Sequence, residues 1–97
     1  MNNQIEIILK DKIKELGQFL ISICDNEEKK QTIKETIIDI PSYKLLLFVS
    51  LLDPNRIDNQ INDFINIFNI NDTTENRQVL KEKLDYFIQV KNILDTK

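Results

Sequence analysis

The groups in this chain that could do chemistry are sixteen carboxylates, eleven lysines, two arginines, two tyrosines and one thiol, Cys24. There is no histidine. A Ser-His or Cys-His nucleophile therefore cannot be assembled, and zinc sites built on His and Cys are excluded with it. Cys24 has no second cysteine in the chain to pair with, which removes a disulfide scaffold. The single glycine, Gly17, cannot furnish a phosphate-cradling loop. General acid–base work would fall to Asp, Glu, Lys or Tyr. The carboxylates read as helix caps or solvent-facing positions, so a reactive pair would have to meet from separate helices. The stretch Asn69-Ile70-Asn71-Asp72-Thr73-Thr74-Glu75 carries oxygen donors of the kind that ligate a hard cation. It lacks the glycine at its sixth position, and Leu80 stands where a bidentate Glu would close a calcium loop. That segment reads as a capped turn, and no cofactor is expected.

Binding chemistry is better represented. Asn55, Asn59, Asn62, Asn66 and Asn69 are spaced four, three, four and three, which keeps them in one line along a helix. Side-chain amides both donate and accept hydrogen bonds. With Asp58 and Asp63 beside it, the stripe could dock a basic protein partner, so Asn55, Asp58, Asn59, Asn62, Asp63 and Asn66 form the candidate binding face. The competing explanation is compositional: seventeen isoleucines, eleven asparagines and eleven lysines with no alanine reflect A/T-rich codons. Charge supports an acidic centre. Residues Asp53 to Asn76 carry five acids against Arg56 alone, while Arg77 to Lys97 sum to +2. The bases Arg77, Lys81, Lys83, Lys91 and Lys97 are interleaved with Glu82 and Asp85 and form no tight patch. Together with the net charge of −3, this argues against nucleic-acid binding.

Five helices would position these residues. Ile5, Ile8, Leu9, Ile13, Leu16, Phe19, Leu20 and Ile23 fall in one arc of about 140°, predicting a first helix over Gln4–Cys24 with Ile7 and Ile21 off that face. Gly17 inside it would let another backbone come close. Asp25 with Glu28 resembles a capping box for a second helix over Glu27–Asp39, with Ile33, Ile37 and Ile40 inward and Ile38 off-face, ended by Pro41. Ser42 would cap a third helix running to Leu52. Its polar residues do not define a solvent face. It should therefore be buried on all sides, as the centre of the fold or half-covered by another chain. Leu45, Phe48 and Leu52 would carry a homodimer contact in the latter case. Asp53-Pro54 opens a fourth helix to Asn69, with Ile57, Ile61, Phe64, Ile65 and Phe68 inward. Asp72 with Glu75 opens a fifth over Thr73–Leu94, whose apolar residues from Val79 to Leu94 cover more than half its circumference. Lys83 points into that arc and would snorkel. A strand reading competes for residues 4–9 and 45–52, but no hairpin signal accompanies it.

The expectation is one all-α domain over residues 1–97, with a central apolar helix. The opening MNNQIEIILKDK lacks the pattern of a secretory leader, and no apolar run is long enough to span a bilayer. With a single cysteine, these features point to a reducing, cytoplasmic setting. By elimination, the function expected is a non-catalytic protein-binding module: a small regulator or inhibitor, of viral, phage or mobile-element type, that occludes a partner. The alternatives are a structural homo-oligomer or subunit held by apolar helix faces, and a minimal carboxylate enzyme.

Overall fold

Leu9, Ile13, Leu16 and Leu20 recur at intervals of four, three and four. In the computed structural model, which describes residues 3–95, all four are buried. They line helix α1 (Asn3–Ser22), followed by α2 (Glu27–Ile33), a π-helical turn (Lys34–Ile38), α3 (Ser42–Leu51), a 3-10 turn (Pro54–Arg56), α4 (Ile57–Phe68) and α5 (Thr74–Asp95). The protein is all-α, with five helices about one apolar core. The strand reading fails over 4–9 and 45–51, which are helical. Among the described residues the one β-type pairing is an isolated bridge between Cys24 and Ile70. The expectations for the Leu94 side chain and for Lys97 lie outside the described residues.

Helix α1 is the spine. It packs on α2, the π turn, α3 and α5, while α5 also packs on α3 and α4. Gly17 does admit a close neighbour, but side chains rather than the backbone expected: a Cβ there would meet Ile38 Cγ1 inside contact distance and lie 3.3 Å from Ile37 Cγ2. The π turn makes that approach. Asp39 N–H donates to the carbonyl of Lys34, five residues back, at 2.9 Å, so this turn holds one extra residue. Thr36 Oγ1 donates to the Thr32 carbonyl at 2.7 Å, the kind of back-bonding that bends helices. Ile38, expected off-face, is thereby brought onto α1. Ile21 and Ile40 are also partly buried against the core, whereas Ile8, expected inward, is 45% exposed.

Helix caps differ from the sequence reading. Asn26, not Asp25, caps α2 by accepting from Lys29 N–H at 2.9 Å. Pro41 occupies the cap position of α3, and Ser42 is its first helical residue, with no side-chain cap. Thr73 Oγ1, rather than Asp72, accepts from Asn76 N–H at 3.0 Å at the start of α5. Asp53 accepts from Asn55 N–H at 2.9 Å ahead of Pro54, but it caps the 3-10 turn; α4 begins at Ile57, three residues later than expected, with Arg56 in its cap position and no side-chain cap. Helix α4 ends with Asn69 in the left-handed region, φ 53°, where Asn is the best-tolerated residue after Gly.

The main correction concerns α3. Leu45 and Val49 are buried and Leu52 follows them inward, but Tyr43, Leu46, Leu47 and Leu51 face solvent, Leu47 at 59% and Leu51 at 67% exposure. The reason is the shape of the body. Its principal extents are 40 × 27 × 16 Å. Two helices packed about 8–10 Å apart, each with a Cα radius of about 2.3 Å, already fill the shortest dimension. A two-layer body covers one side of a helix, so no helix here is enclosed.

Candidate functional site

Helices α3 and α4 meet at a polar corner and enclose an apolar groove. At the corner, the carbonyls that end α3 are taken by side chains from elsewhere. Gln60 Nε2 donates to Leu51 O at 2.9 Å, and Lys91 Nζ, from α5, donates to Leu52 O at 2.9 Å. Gln60 Oε1 accepts from Asp53 N–H at 3.3 Å. These bonds satisfy carbonyls that a helix terminus leaves unpaired, and the ammonium also sits at the favoured end of the helix dipole. Beyond the corner, α3 and α4 are not among the helix pairs that pack closely. Aromatic rings bridge them instead: Phe48 stands edge-on to Phe64 at 6.2 Å and to Phe87 at 5.7 Å, while Phe64 leans on Phe68 at 6.0 Å.

The groove that results has a volume of about 360 Å³. Its α4 wall is Gln60, Asp63, Phe64, Ile67 and Phe68, its α3 wall Phe48, Leu51 and Leu52, and Ile37 of the π turn contributes to the lining. The α4 positions follow i, i+3, i+4, i+7, i+8, one stripe two turns long. Leu51 and Ile67, on opposite walls, are mostly exposed, and Leu47 continues the apolar surface along α3. Gln60 is occupied by the corner. Asp63 is then the one lining carboxylate, and it makes no ion pair or side-chain hydrogen bond among the described residues.

All six residues of the expected binding face, Asn55, Asp58, Asn59, Asn62, Asp63 and Asn66, are exposed. They are not one acidic surface. Five residues along a helix amount to about 140° of rotation, so Asp58 and Asp63 flank the asparagine stripe on opposite sides. Asp63 borders the groove, whereas Asp58 lies close enough to Arg77 to favour its charged form. Asn62 is tied down, its Oδ1 accepting from Arg77 Nη1 at 2.8 Å. Arg77 also clamps Asp72 with two bonds, Nε to Oδ1 at 2.6 Å and Nη2 to Oδ2 at 3.0 Å. That hydrogen-bonded pairing, opposed by a little desolvation, holds the Asp72 carboxyl below its ordinary range and the Arg77 guanidinium above its own.

The expected homodimer contact is corrected. Leu45 and Leu52 are buried within the chain's own core, and Phe48 is engaged by Phe64 and Phe87. The apolar residues that α3 leaves outside are Leu46, Leu47 and Leu51. The sequence carried a partial signal for this: Tyr43 and Ser50 fall opposite the arc of Leu45, Phe48, Val49 and Leu52, and Lys44 lies at the edge between the two faces.

A second cleft, about 240 Å³, lies between α1 and α5 and is lined by Lys12, Glu15, Glu82, Lys83, Tyr86 and Phe87. Here carboxylates from separate helices do border one space, but both are exposed and each has a partner on its own helix, Lys12 for Glu15 and the Gln78 amide for Glu82. Lys12 Nζ pairs with Glu15 at 3.3 Å and sits 5.0 Å above the Tyr86 ring, while Lys83 Nζ lies 5.7 Å above Phe19. Among the described residues, no charged or polar side chain is buried and no three acidic or sulfur ligands converge. No described helix is long and apolar enough to cross a membrane. Comparison with protein-family models, with curated proteins and with solved structures gives no match.

Proposed function

We propose that this chain is a non-catalytic protein-binding module, a small regulator or inhibitor that works by covering a basic surface of a partner protein. The observation that carries this reading is the combination on α4 of an unpaired carboxylate, Asp63, with an adjoining apolar groove. Exposed apolar surface of this kind, rimmed by polar groups, marks interaction sites, and the rim chemistry selects a cationic partner. The proposal sets the module in a reducing, intracellular compartment, in keeping with the buried free thiol of Cys24, whose Sγ–H donates to Phe68 O at 3.2 Å.

Affinity capture from the native host, with mass spectrometry, tests the reading by comparing the wild type with an Asp58→Lys/Asp63→Lys variant. A partner recovered by the wild type should associate several-fold more slowly with the variant at low salt, the gap closing as salt screens it. Association indifferent to both the substitutions and the salt contradicts the proposal.

A second reading, a self-associating subunit, draws on the bare apolar face of α3 at Leu46, Leu47 and Leu51. Light scattering at low micromolar concentration separates the two: a strict monomer removes self-assembly and leaves the partner-binding module.

A further inference from the structure

Resting on the protein-binding reading, we infer the form of the partner element: the α3–α4 groove receives an amphipathic α-helix whose apolar stripe is flanked by lysine or arginine. Backbone hydrogen bonding decides for a helix. The groove is walled by two helices whose backbone groups are already satisfied within the helices, and the free carbonyls at their junction are taken by Gln60 and Lys91. The groove therefore offers no strand edge to an extended peptide. A chain laid into an apolar slot must keep its own N–H and C=O groups paired, and a helix does so internally. The dimensions agree. Residues 60 to 68 of α4 form a wall about 12 Å long at 1.5 Å per residue, matching two turns of a visitor that presents apolar side chains at i, i+3, i+4 and i+7. Leu51 on one wall and Ile67 on the other would grip that stripe, with Phe64 between them.

Charge decides the flank. Asp63 is the only charged residue lining the groove, and it has no counter-ion among the described residues. A helix lowered onto Phe64 and Ile67 brings its edge residues over that carboxylate. A cation there gains an ion pair, whereas an acidic flank meets repulsion.

The test uses the full chain, isotope-labelled, and three synthetic 18-residue peptides. One is a leucine–lysine peptide with leucine at the helical i, i+3, i+4, i+7 spacing. The second replaces its lysines with glutamate. The third has the first peptide's composition in an order without helical period. We expect saturable binding of the first peptide, with amide shifts concentrated at residues 47–52 and 60–68, and affinities at least about tenfold weaker for the other two. Ile67→Asp, an exposed substitution, should weaken binding about tenfold or more. Asp63→Asn should weaken it about threefold at low salt and by less at high salt. Equal binding of the periodic and aperiodic peptides, shifts centred on α1 and α5, or no binding at all would overturn the inference. Should those failures occur while capture of a native partner still depends on Asp63, the helix assignment falls and the wider protein-binding reading stands.

Discussion

Two clefts of this molecule, at Lys12 between α1 and α5 and at Asp63 between α3 and α4, are built from the same kinds of helix and differ in how their charges are met. Between α1 and α5 the chain supplies its own answers: Lys12 to Glu15 and Tyr86, Lys83 to Phe19. Between α3 and α4 the walls are apolar, and Asp63 has no answering cation. Exposed ion pairs add little stability, about 0–1 kcal/mol each, so the difference is not chiefly one of strength. It is one of completion. The cleft at Lys12 and Tyr86 meets its own cations, whereas the α3–α4 groove sets one unanswered acid beside apolar walls. A third cleft of about 210 Å³, apolar and lined by Ile5, Ile8, Tyr86, Val90 and Ile93, runs along α1 and α5.

The sharpest way to break this contrast is to delete leucines on each side. Leu84→Ala, on the buried face of α5, should cost about 2–5 kcal/mol in urea unfolding. Leu47→Ala, on the outward face of α3, should stay within about 0.5 kcal/mol of wild type. Equal losses would mean that α3 is enclosed after all. Gly17→Ala probes how tightly the π turn packs on α1. Alanine favours the helix by about 1 kcal/mol, yet its methyl group collides with Ile38. A net destabilisation of up to about 2 kcal/mol is expected, since overpacking costs about 1–3 kcal/mol; a gain would show that the π turn yields easily.

Lys91→Met sharpens the comparison where the two sides join. It keeps the aliphatic stem but removes the donor to Leu52 O, for an expected loss of about 1 kcal/mol. The smallest effect concerns Asp72. Because Arg77 lowers its pKa below the ordinary 3.8, the unfolded chain takes up a proton there before the folded one. The pair's contribution is thus fully present above pH 3.8 and is lost as pH falls through the lower, folded value. Asp72→Asn should therefore show a slightly lower urea midpoint than wild type at neutral pH, and the gap should close in strong acid. A gap that widens in acid would contradict the assignment.

Much of the fold was legible because helical periodicity is a local property. The arc of Leu9, Ile13, Leu16 and Leu20 and the inward stripe of α4 both follow from side-chain spacing alone. Gly17 was legible for a different reason: one glycine in a long amphipathic helix needs a neighbour to explain it. What escaped depends on partners distant in sequence. Lys91 reaches a carbonyl thirty-nine residues away, and nothing near it in the chain announces that bond. The π turn hides because its extra residue alters register without altering composition. The caps at Asn26 and Thr73 each fell one residue beyond the expected position, where two adjacent capping residues compete. For α3 the error was one of scale. An apolar helix implies a covered helix only if enough chain exists to cover it, and a body two helices thick covers one face. The candidate site was half legible: the asparagine stripe is outward as expected, but the groove beside Asp63 depends on how Phe48 and Phe64 meet across two helices.

The account depends on the α3–α4 apolar surface being surplus to the fold. The urea midpoint of an Leu51→Asp/Ile67→Asp double variant, read at two protein concentrations tenfold apart, tests that most directly. The account predicts a midpoint close to wild type and independent of concentration, because both side chains already face water. A collapse of the midpoint, or a wild-type midpoint that rises with concentration while the variant's does not, would show that these residues stabilise the folded chain or a dimer of it.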